Sequence, residues 1–220
     1  VLQTNRDTIT KVPVLDVRGG VAAYADEQIA LGHYYGNGRE NSCENTALAV
    51  SMLLDDQPID GYFALNMHAV GIVTDLVGGV TLTVTSDFSE IDPTLVQGEE
   101  VTLDGEKALT YVRSRHHIDD QTNIARMARQ RQFLAALEEK LRQQDSQFAA
   151  EAYTALEDYM VTDIASGTAA KIGEKLKQYK QLDTLTIDGE NVIENGYWAY
   201  HLDESSREAT VLQLFYEKVR

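Results

Sequence analysis

The sequence has few of the residues that anchor or cross-link a protein. Only one of the 220 residues is cysteine, Cys43, and only three are proline. A single thiol excludes an intrachain disulfide and a cysteine-rich metal site. No run of about 18 apolar residues occurs, which excludes a membrane span within the chain. No signal peptide is visible and the first residue is Val1, so we expect a fragment whose natural N-terminus, with any membrane anchor, lies upstream.

Positive charge is also scarce. Lysine and arginine number 19 against 35 acidic residues, which gives a formal net charge of −16 and a pI near 4.6. This balance argues against a general binder of nucleic acid or of anionic membranes, since either needs a broad basic surface. A hydrophobic content of 43% permits a sizeable core. The length predicts one domain or at most two small ones, and we expect a single domain over residues 1–220.

The few positive charges are gathered in one stretch, YVRSRHHIDDQTNIARMARQR, which runs from Tyr111 to Arg131. It holds five arginines and only two acidic residues, Asp119 and Asp120. We expect both aspartates to be ordinary charges of a loop. The alternative is that they form a second layer that orients the arginines. An acidic protein that concentrates its arginines in one place favours an anion site there.

The spacing of this stretch favours a phosphate ligand. Arg113 and Arg115 are two apart, so both can face one ligand only if the chain leaves its helix and runs extended. Arg126 and Gln130 are four apart and share one helix face. Arginine suits phosphate or pyrophosphate because its planar fork makes paired hydrogen bonds to the oxygens. The alternative is a solvated helix face whose salt bridges add little stability.

The pattern of apolar residues predicts an α/β fold. Two helices are predicted from their caps: one runs from Ser42, as its N-cap, to Leu54, and a short one follows Asp104. Further helices are predicted at Met67–Leu76, Asn123–Gln143, Phe148–Met160, Ile164–Tyr179 and Arg207–Lys218. Strands are predicted at the N-terminus, at Tyr62–Leu65, at Val80–Val84, at Leu182–Ile187 and at Tyr197–Leu202. This alternation indicates a central mixed β-sheet flanked by helices on both faces.

Two further patterns bear on the site. The helix from Asn123 is predicted to bury the apolar side formed by Met127, Phe133, Leu134, Leu137 and Leu141. This burial would hold Arg126 and Gln130 rigidly on the neighbouring side. The last helix is predicted to turn inward Val211, Leu212, Leu214 and Phe215. Arg6-Asp7-Thr8 lies at a predicted strand end, where α/β sheets often meet ligands. An ordinary strand-end salt bridge is the equal alternative.

Four landmarks resemble the LytR-CpsA-Psr family of bacterial cell-envelope proteins. NRDT, ending at Thr8, is similar to the family's PRDT, and PIDGYF is followed by a helix that ends in LVGGV. TLDGEKALTYVRSRH resembles LxGEQALAYxRxRH, and NIARMARQRQFL resembles GRxxRQQxxL. Asn5 stands where the family usually has proline, which should be tolerated because that proline only sets local backbone shape. The combination is specific, whereas a lone RDT or RxR would be weak.

This resemblance implies a three-layer α/β fold whose first strands lie upstream of the chain. It implies transfer of an anionic glycopolymer, such as a teichoic acid or capsular polysaccharide, from a polyprenyl-pyrophosphate carrier to a muramic acid 6-hydroxyl of peptidoglycan. The enzyme would lie at the outer face of the cell membrane. By position, the pyrophosphate would be bound by Arg6, Arg113, Arg115, Arg126 and Gln130, with Asp7 as the motif aspartate. Magnesium is implied as cofactor, with its aspartate ligands expected upstream of Val1.

The sequence leaves other functions open. A polyprenyl-pyrophosphate hydrolase would use the same arginines with water as acceptor. A non-catalytic module that binds lipid or glycan phosphates would need no aspartates. A DNA-binding regulator is disfavoured by the acidic balance and by the lack of a basic recognition helix.

Overall fold

The computed structural model describes residues 1–118, 123–145, 147–179 and 182–216. Within these ranges the chain forms eight α-helices and eight strands, with one short 3₁₀ turn at Glu157–Tyr159. The strands are β1 (Ile9–Leu15), β2 (Val21–Gln28), β3 (Phe63–Leu65), β4 (Val80–Thr83), β5 (Glu100–Leu103), β6 (Met160–Thr162), β7 (Gly189–Glu194) and β8 (Tyr197–Leu202). The helices are α1 (Leu31–Tyr34), α2 (Glu40–Leu53), α3 (Met67–Leu76), α4 (Gly105–Arg113), α5 (Asn123–Arg142), α6 (Phe148–Leu156), α7 (Ser166–Leu176) and α8 (Glu204–Phe215).

The predicted α/β class is confirmed, and the strands of the described residues pair two by two. The sheets are β1–β2, β3–β6, β4–β5 and β7–β8. Two isolated parallel bridges join Leu2 to Leu185 and Thr8 to Tyr200, so β8 also runs beside the start of β1. The sheet structure therefore consists of short ladders rather than of long central strands.

Several predicted elements are confirmed. α3 and β8 have the predicted bounds, and Asp104 caps α4 by accepting a hydrogen bond from the amide of Lys107 at 2.9 Å. Ser42 is not the N-cap of α2, because its hydroxyl instead accepts from the amide of Gly38 at 2.7 Å and the helix begins at Glu40.

Other predictions were wrong. The N-terminal strand begins only at Ile9, and the predicted strand 182–187 contributes a single bridge at Leu185. Strands β2, β5, β6 and β7 were not predicted. α8 starts three residues earlier than expected, because Asp203 caps it by accepting from the amide of Ser206 at 2.7 Å. Of its apolar residues only Val211 is buried, and the other three predicted to face inward are exposed.

The chain divides into two compact units. Unit 1 comprises Val1–Phe63, Val161–Asp163 and the described residues from 182 onward. Unit 2 comprises Ala64–Met160 and the described residues from Ile164 to 179. The expectation of a single domain over residues 1–220 stays a prediction.

Unit 2 contains the larger core, and α4 lies in it. β4 and β5 pair antiparallel, with Val80 opposite Leu103. Tyr111 is fully buried, stacks on Phe88 with ring centroids 5.3 Å apart, and donates its hydroxyl proton to Oε1 of Gln132 at 2.6 Å. This network fixes the last turn of α4 against the strands.

The first turn of α4 lies close to α3. The amide of Gly105 donates to Asp75 Oδ1 at 2.7 Å. A Cβ atom on Gly105 would lie 2.7 Å from the carbonyl oxygen of Gly71, so only glycine fits this approach.

Unit 1 contains a partly buried guanidinium that connects two helices. Arg207 of α8 donates to the carbonyl of Leu53 at 3.0 Å and to Asp55 at 2.7 Å. It also pairs with Glu204, and this hydrogen bond lowers the pKa of the Glu204 carboxyl. The C-terminal end of α2 is thereby fastened to the start of α8.

Candidate functional site

The two arginines of the YVRSR segment lie at the point where α4 ends. Arg113 is the last residue of the helix, and Ser114 has extended backbone angles, φ −61° and ψ 137°. The amide of Ser114 still donates to the carbonyl of Thr110 at 3.1 Å. The chain therefore leaves its helix between Arg113 and Arg115, as the spacing predicted.

Both of these arginines are accessible. Arg113 is exposed and Arg115 is half-buried. Within the described part of the chain, neither side chain makes a hydrogen bond or an ion pair. An arginine keeps its charge at any physiological pH and has five N–H donors. The end of α4 thus presents two charged forks that can bind an anion.

Two consecutive side chains of α5 hold this segment in place. Gln130 donates its amide proton to the carbonyl of Val112 at 3.2 Å. Arg129 donates from Nε to the carbonyl of Tyr111 at 3.2 Å and from Nη2 to the carbonyl of Ser114. The predicted contact of Gln130 with pyrophosphate stays a prediction, since its amide nitrogen is directed at the backbone of α4.

Arg126 lies in the first turn of α5 and is half-buried. Its Nη2 donates to the side-chain oxygen of Asn123, which is buried. The first turn of a helix attracts anions through its unsatisfied amides and the helix dipole, so an arginine there adds to the same preference.

Arg6 and Asp7 lie in unit 1, whereas the four other predicted site residues lie in unit 2. The side chain of Arg6 is 57% exposed, and its Nε is 3.4 Å from Oδ1 of Asp7. Asp7 is buried: its amide donates to Asn5 Oδ1 at 3.0 Å, and its carbonyl accepts from the amide of Tyr200 at 2.8 Å. Its Oδ1 also accepts from Gln28 at 3.4 Å.

The strand-end ion pair named as an alternative thus exists. It leaves most of the Arg6 side chain open to solvent. The convergence of Arg6 on the arginines of unit 2 stays a prediction.

The spacing predicts that Arg129, three residues from Arg126, can share its side of the helix, but Arg129 is buried and only 2% exposed. Arg129, Phe133 and Leu137 follow one another at intervals of four and are all buried, so this stripe was the available signal. Leu134, predicted to face inward, is 56% exposed, because the buried stripe runs beside it. Asp119 and Asp120 lie outside the described residues.

The described residues contain neither a candidate metal cluster nor a candidate membrane span. Among them no group of three or more His, Cys, Asp or Glu side chains could hold a metal ion. Because the resemblance places the magnesium ligands upstream of Val1, magnesium stays a prediction. None of the described helices is long and apolar enough to span a membrane.

The chain is similar to curated teichoic acid transferases. Over 154 residues, or 69% of its length, the chain is 29% identical to a polyisoprenyl-teichoic acid–peptidoglycan teichoic acid transferase, TagU, of Bacillus subtilis. That match covers 49% of TagU, and the chain spans about half the length of the curated relatives it matches.

Solved structures resemble nearly the whole chain. One from Enterococcus faecalis, described as a transcriptional regulator, is 25% identical with a TM-score of 0.75, over 97% of this chain and 74% of that one. TagT of Bacillus subtilis is 22% identical with a TM-score of 0.72, over 96% and 76%. The second likeness is evidence for the fold alone.

The sequence model of the LytR_cpsA_psr family matches residues 2–215. The match includes the RDT segment, both arginines at the end of α4 and the α5 segment that holds them. With this coverage, the chain belongs to the LytR_cpsA_psr family.

Proposed function

We propose that this chain is the catalytic part of a bacterial cell-envelope enzyme that transfers an anionic glycopolymer from a polyprenyl-pyrophosphate carrier to peptidoglycan. The support is membership of the LytR_cpsA_psr family and similarity to TagU, which is named for teichoic acid transfer to peptidoglycan. The enzyme would act at the outer face of the cell membrane. There it would meet both the lipid-linked donor and the peptidoglycan acceptor.

One observation carries this proposal. Arg113 and Arg115 lie on either side of the residue at which α4 ends, and described residues make no hydrogen bond or ion pair with them. The carbonyls of Tyr111 and Val112 are meanwhile bonded by α5, so the helix end does not need the two arginines. Charged donors on a fixed backbone are suited to bind a diphosphate.

The chemistry would be displacement at phosphorus. The acceptor hydroxyl oxygen attacks the phosphorus attached to the glycopolymer and loses its proton to water. The bond from this phosphorus to the bridging oxygen breaks, and polyprenyl monophosphate leaves with that oxygen and its electron pair. Catalysis of such transfers is mostly positioning and charge stabilisation. Arg113, Arg115 and Arg126 would bind the diphosphate oxygens. The family resemblance adds Arg6 and Asp7 to this set, and their part in it stays a prediction.

Gln130 has a more limited part in this proposal. It would orient a diphosphate oxygen or a neighbouring guanidinium through its carbonyl oxygen, because its amide nitrogen bonds to the carbonyl of Val112. Magnesium stays a prediction from the family resemblance. No step of the proposed chemistry depends on it.

The test is turnover of a radiolabelled glycan linked to a short isoprenyl pyrophosphate. The chain of residues 1–220 is incubated with this donor, with and without peptidoglycan, and with or without Mg²⁺. We expect arginine-dependent binding of the donor, and release of isoprenyl phosphate only when peptidoglycan is present. Release at the same rate without peptidoglycan would replace the transferase by a hydrolase. Failure of the donor to bind would refute the proposal.

A matched pair of variants separates site effects from loss of charge. Arg113→Gln removes a guanidinium from the proposed site, whereas Arg18→Gln removes an exposed arginine from the turn between β1 and β2. Binding that falls only for Arg113→Gln supports the proposed diphosphate site. Equal losses would indicate a general effect of net charge.

A further inference from the structure

Arg129 is a buried guanidinium with its three nitrogens engaged by protein atoms. Nε bonds to the carbonyl of Tyr111 at 3.2 Å, Nη1 to the hydroxyl of Ser86 at 3.3 Å, and Nη2 to the carbonyl of Ser114. Its central carbon lies 5.7 Å from the centre of the Phe88 ring, within the range of a cation–π contact. With 2% of its surface exposed, Arg129 is not placed to bind a substrate.

The position of Arg129 is set by the end of α4. The last carbonyls of a helix have no intrahelical partner, and the helix dipole makes this end partly negative. In α4 the carbonyl of Thr110 accepts from the amide of Ser114, and that of Val112 accepts from Gln130. Arg129 provides the donor for Tyr111 and reaches past the helix end to Ser114. A cation is the group that such a helix end favours.

The same guanidinium is held on its other side by packed aromatic rings. Phe88 stacks on Tyr111, whose hydroxyl is bonded to Gln132 and lies 3.1 Å from the hydroxyl of Thr85. These rings are fully buried in the core of unit 2. Arg129 therefore connects a rigid part of the core to the residue that separates Arg113 from Arg115.

We propose that Arg129 is a positioning residue for the anion site of Arg113 and Arg115. It does not touch the anion; it fixes the carbonyls of Tyr111 and Ser114, and so sets the direction of the two accessible arginines. This inference rests on the proposed function for the nature of the anion. Lysine cannot replace Arg129, because one ammonium group cannot reach both carbonyls with the geometry of a fork.

The test compares Arg129 with Arg142, which lies on the same helix. Arg142 also donates to backbone carbonyls, those of Leu176 at 3.0 Å and Tyr179 at 3.1 Å, but it lies 13 residues further along α5. That separation is about 20 Å along a helix. Arg129→Lys, Arg129→Gln and Arg142→Lys are made in the 220-residue chain. Thermal unfolding of each variant gives a temperature at which that variant is still folded.

Two quantities are then measured on the folded variants. The first is hydrogen exchange of the amides in residues 111–118. The second is the affinity for farnesyl pyrophosphate, a soluble isoprenyl diphosphate. We expect both Arg129 variants to exchange faster in that segment and to bind up to about 100-fold more weakly, as misplacement by an ångström can produce. Arg142→Lys should change neither quantity. If Arg129→Gln does not fold, Arg129→Lys alone decides.

A double variant distinguishes positioning from a general loss of stability. If Arg129 acts through Arg115, then Arg115→Lys combined with Arg129→Lys weakens binding by less than the product of the two single effects. Effects that multiply fully, or unchanged exchange in residues 111–118, would overturn the inference. Should the unaltered chain fail to bind farnesyl pyrophosphate, the proposed function fails, and the exchange data still decide whether Arg129 fixes the segment.

Discussion

Replacing Arg115 by lysine is the sharpest test of the candidate site. The substitution keeps the positive charge and removes the planar fork. Arg115 is half-buried at the end of α4, and no described residue makes a hydrogen bond or an ion pair with its guanidinium. Among the described residues, the change therefore removes no hydrogen bond and no ion pair.

The expected magnitudes follow from this geometry. A side chain to which no described residue bonds contributes little to folding, so Arg115→Lys should change the free energy of unfolding by at most about 0.5 kcal/mol. A hydrogen bond between charged groups is worth about 1.5–3 kcal/mol. Loss of one bond of a paired set should then weaken diphosphate binding by about 10- to 150-fold. The two effects differ enough to be separated.

The assay measures thermal unfolding and the affinity for farnesyl pyrophosphate on the same preparation. Arg18→Lys, in the exposed turn between β1 and β2, serves as the control and should leave both unchanged. If the Arg115→Lys chain is stable and binds more weakly, the result supports paired hydrogen bonds from Arg115 to the diphosphate. Binding within about twofold of the unaltered chain would assign Arg115 to the surface charges and refute the reasoning.

Three further predictions concern stability and are measured by denaturant unfolding. Gly105→Ala should destabilise the fold by several kcal/mol, since the new Cβ would lie 2.7 Å from a backbone carbonyl oxygen. The control Gly173→Ala, at a helix position with room for a Cβ, should stabilise the fold by about 0.5–1 kcal/mol. Equal effects of the two substitutions would contradict this prediction. Tyr111→Phe should cost about 0.5–1.5 kcal/mol because the ring keeps its packing and loses one partly buried hydrogen bond to Gln132, and an unchanged midpoint would contradict that network. Arg207 lowers the pKa of Glu204, so the stability from this pair is present above the ordinary carboxyl pKa of about 4.3 and is lost as the pH falls through the lower folded pKa. Arg207→Met should therefore destabilise more at pH 7 than at pH 3, and a constant difference would show that the pair does not contribute.

Elements with strong local signals were predictable from the sequence. α3 has an apolar pattern that ends at two glycines with positive φ, Gly78 and Gly79, and its bounds are as predicted. β4 alternates buried and exposed residues from Val80 to Thr83, as expected for a strand with one face in the core.

Two of the missed strands, β2 and β7, have burial that gives no alternation. β2 is mostly exposed on both faces, and β7 mixes half-buried and exposed residues, so neither shows a period of two. Their hairpin turns were the better signal. Asn195 and Gly196 both have positive φ, φ 51° and φ 83°, and join β7 to β8, as an Asn-Gly pair favours.

The candidate site was predictable as a segment, but the tasks of its arginines were not. Charge and spacing indicated that Arg113 and Arg115 would leave the helix together, and Ser114 is extended as this requires. They gave no means of telling an arginine that binds a ligand from one that binds backbone. That difference depends on which carbonyls of α4 lack donors, and on which side chains of α5 face them.

The end of α4 shows why one segment needs both kinds of arginine. A helix that ends beside a proposed diphosphate site brings partly negative carbonyls near a negative ligand, which is unfavourable unless those carbonyls have donors. Gln130 and the buried Arg129 supply donors to the carbonyls of Val112 and Tyr111. With these carbonyls bonded, Arg113 and Arg115 can direct their charge at a ligand instead of at their own helix. The buried guanidinium is thus as necessary to the proposed site as the accessible ones, although it never meets the substrate.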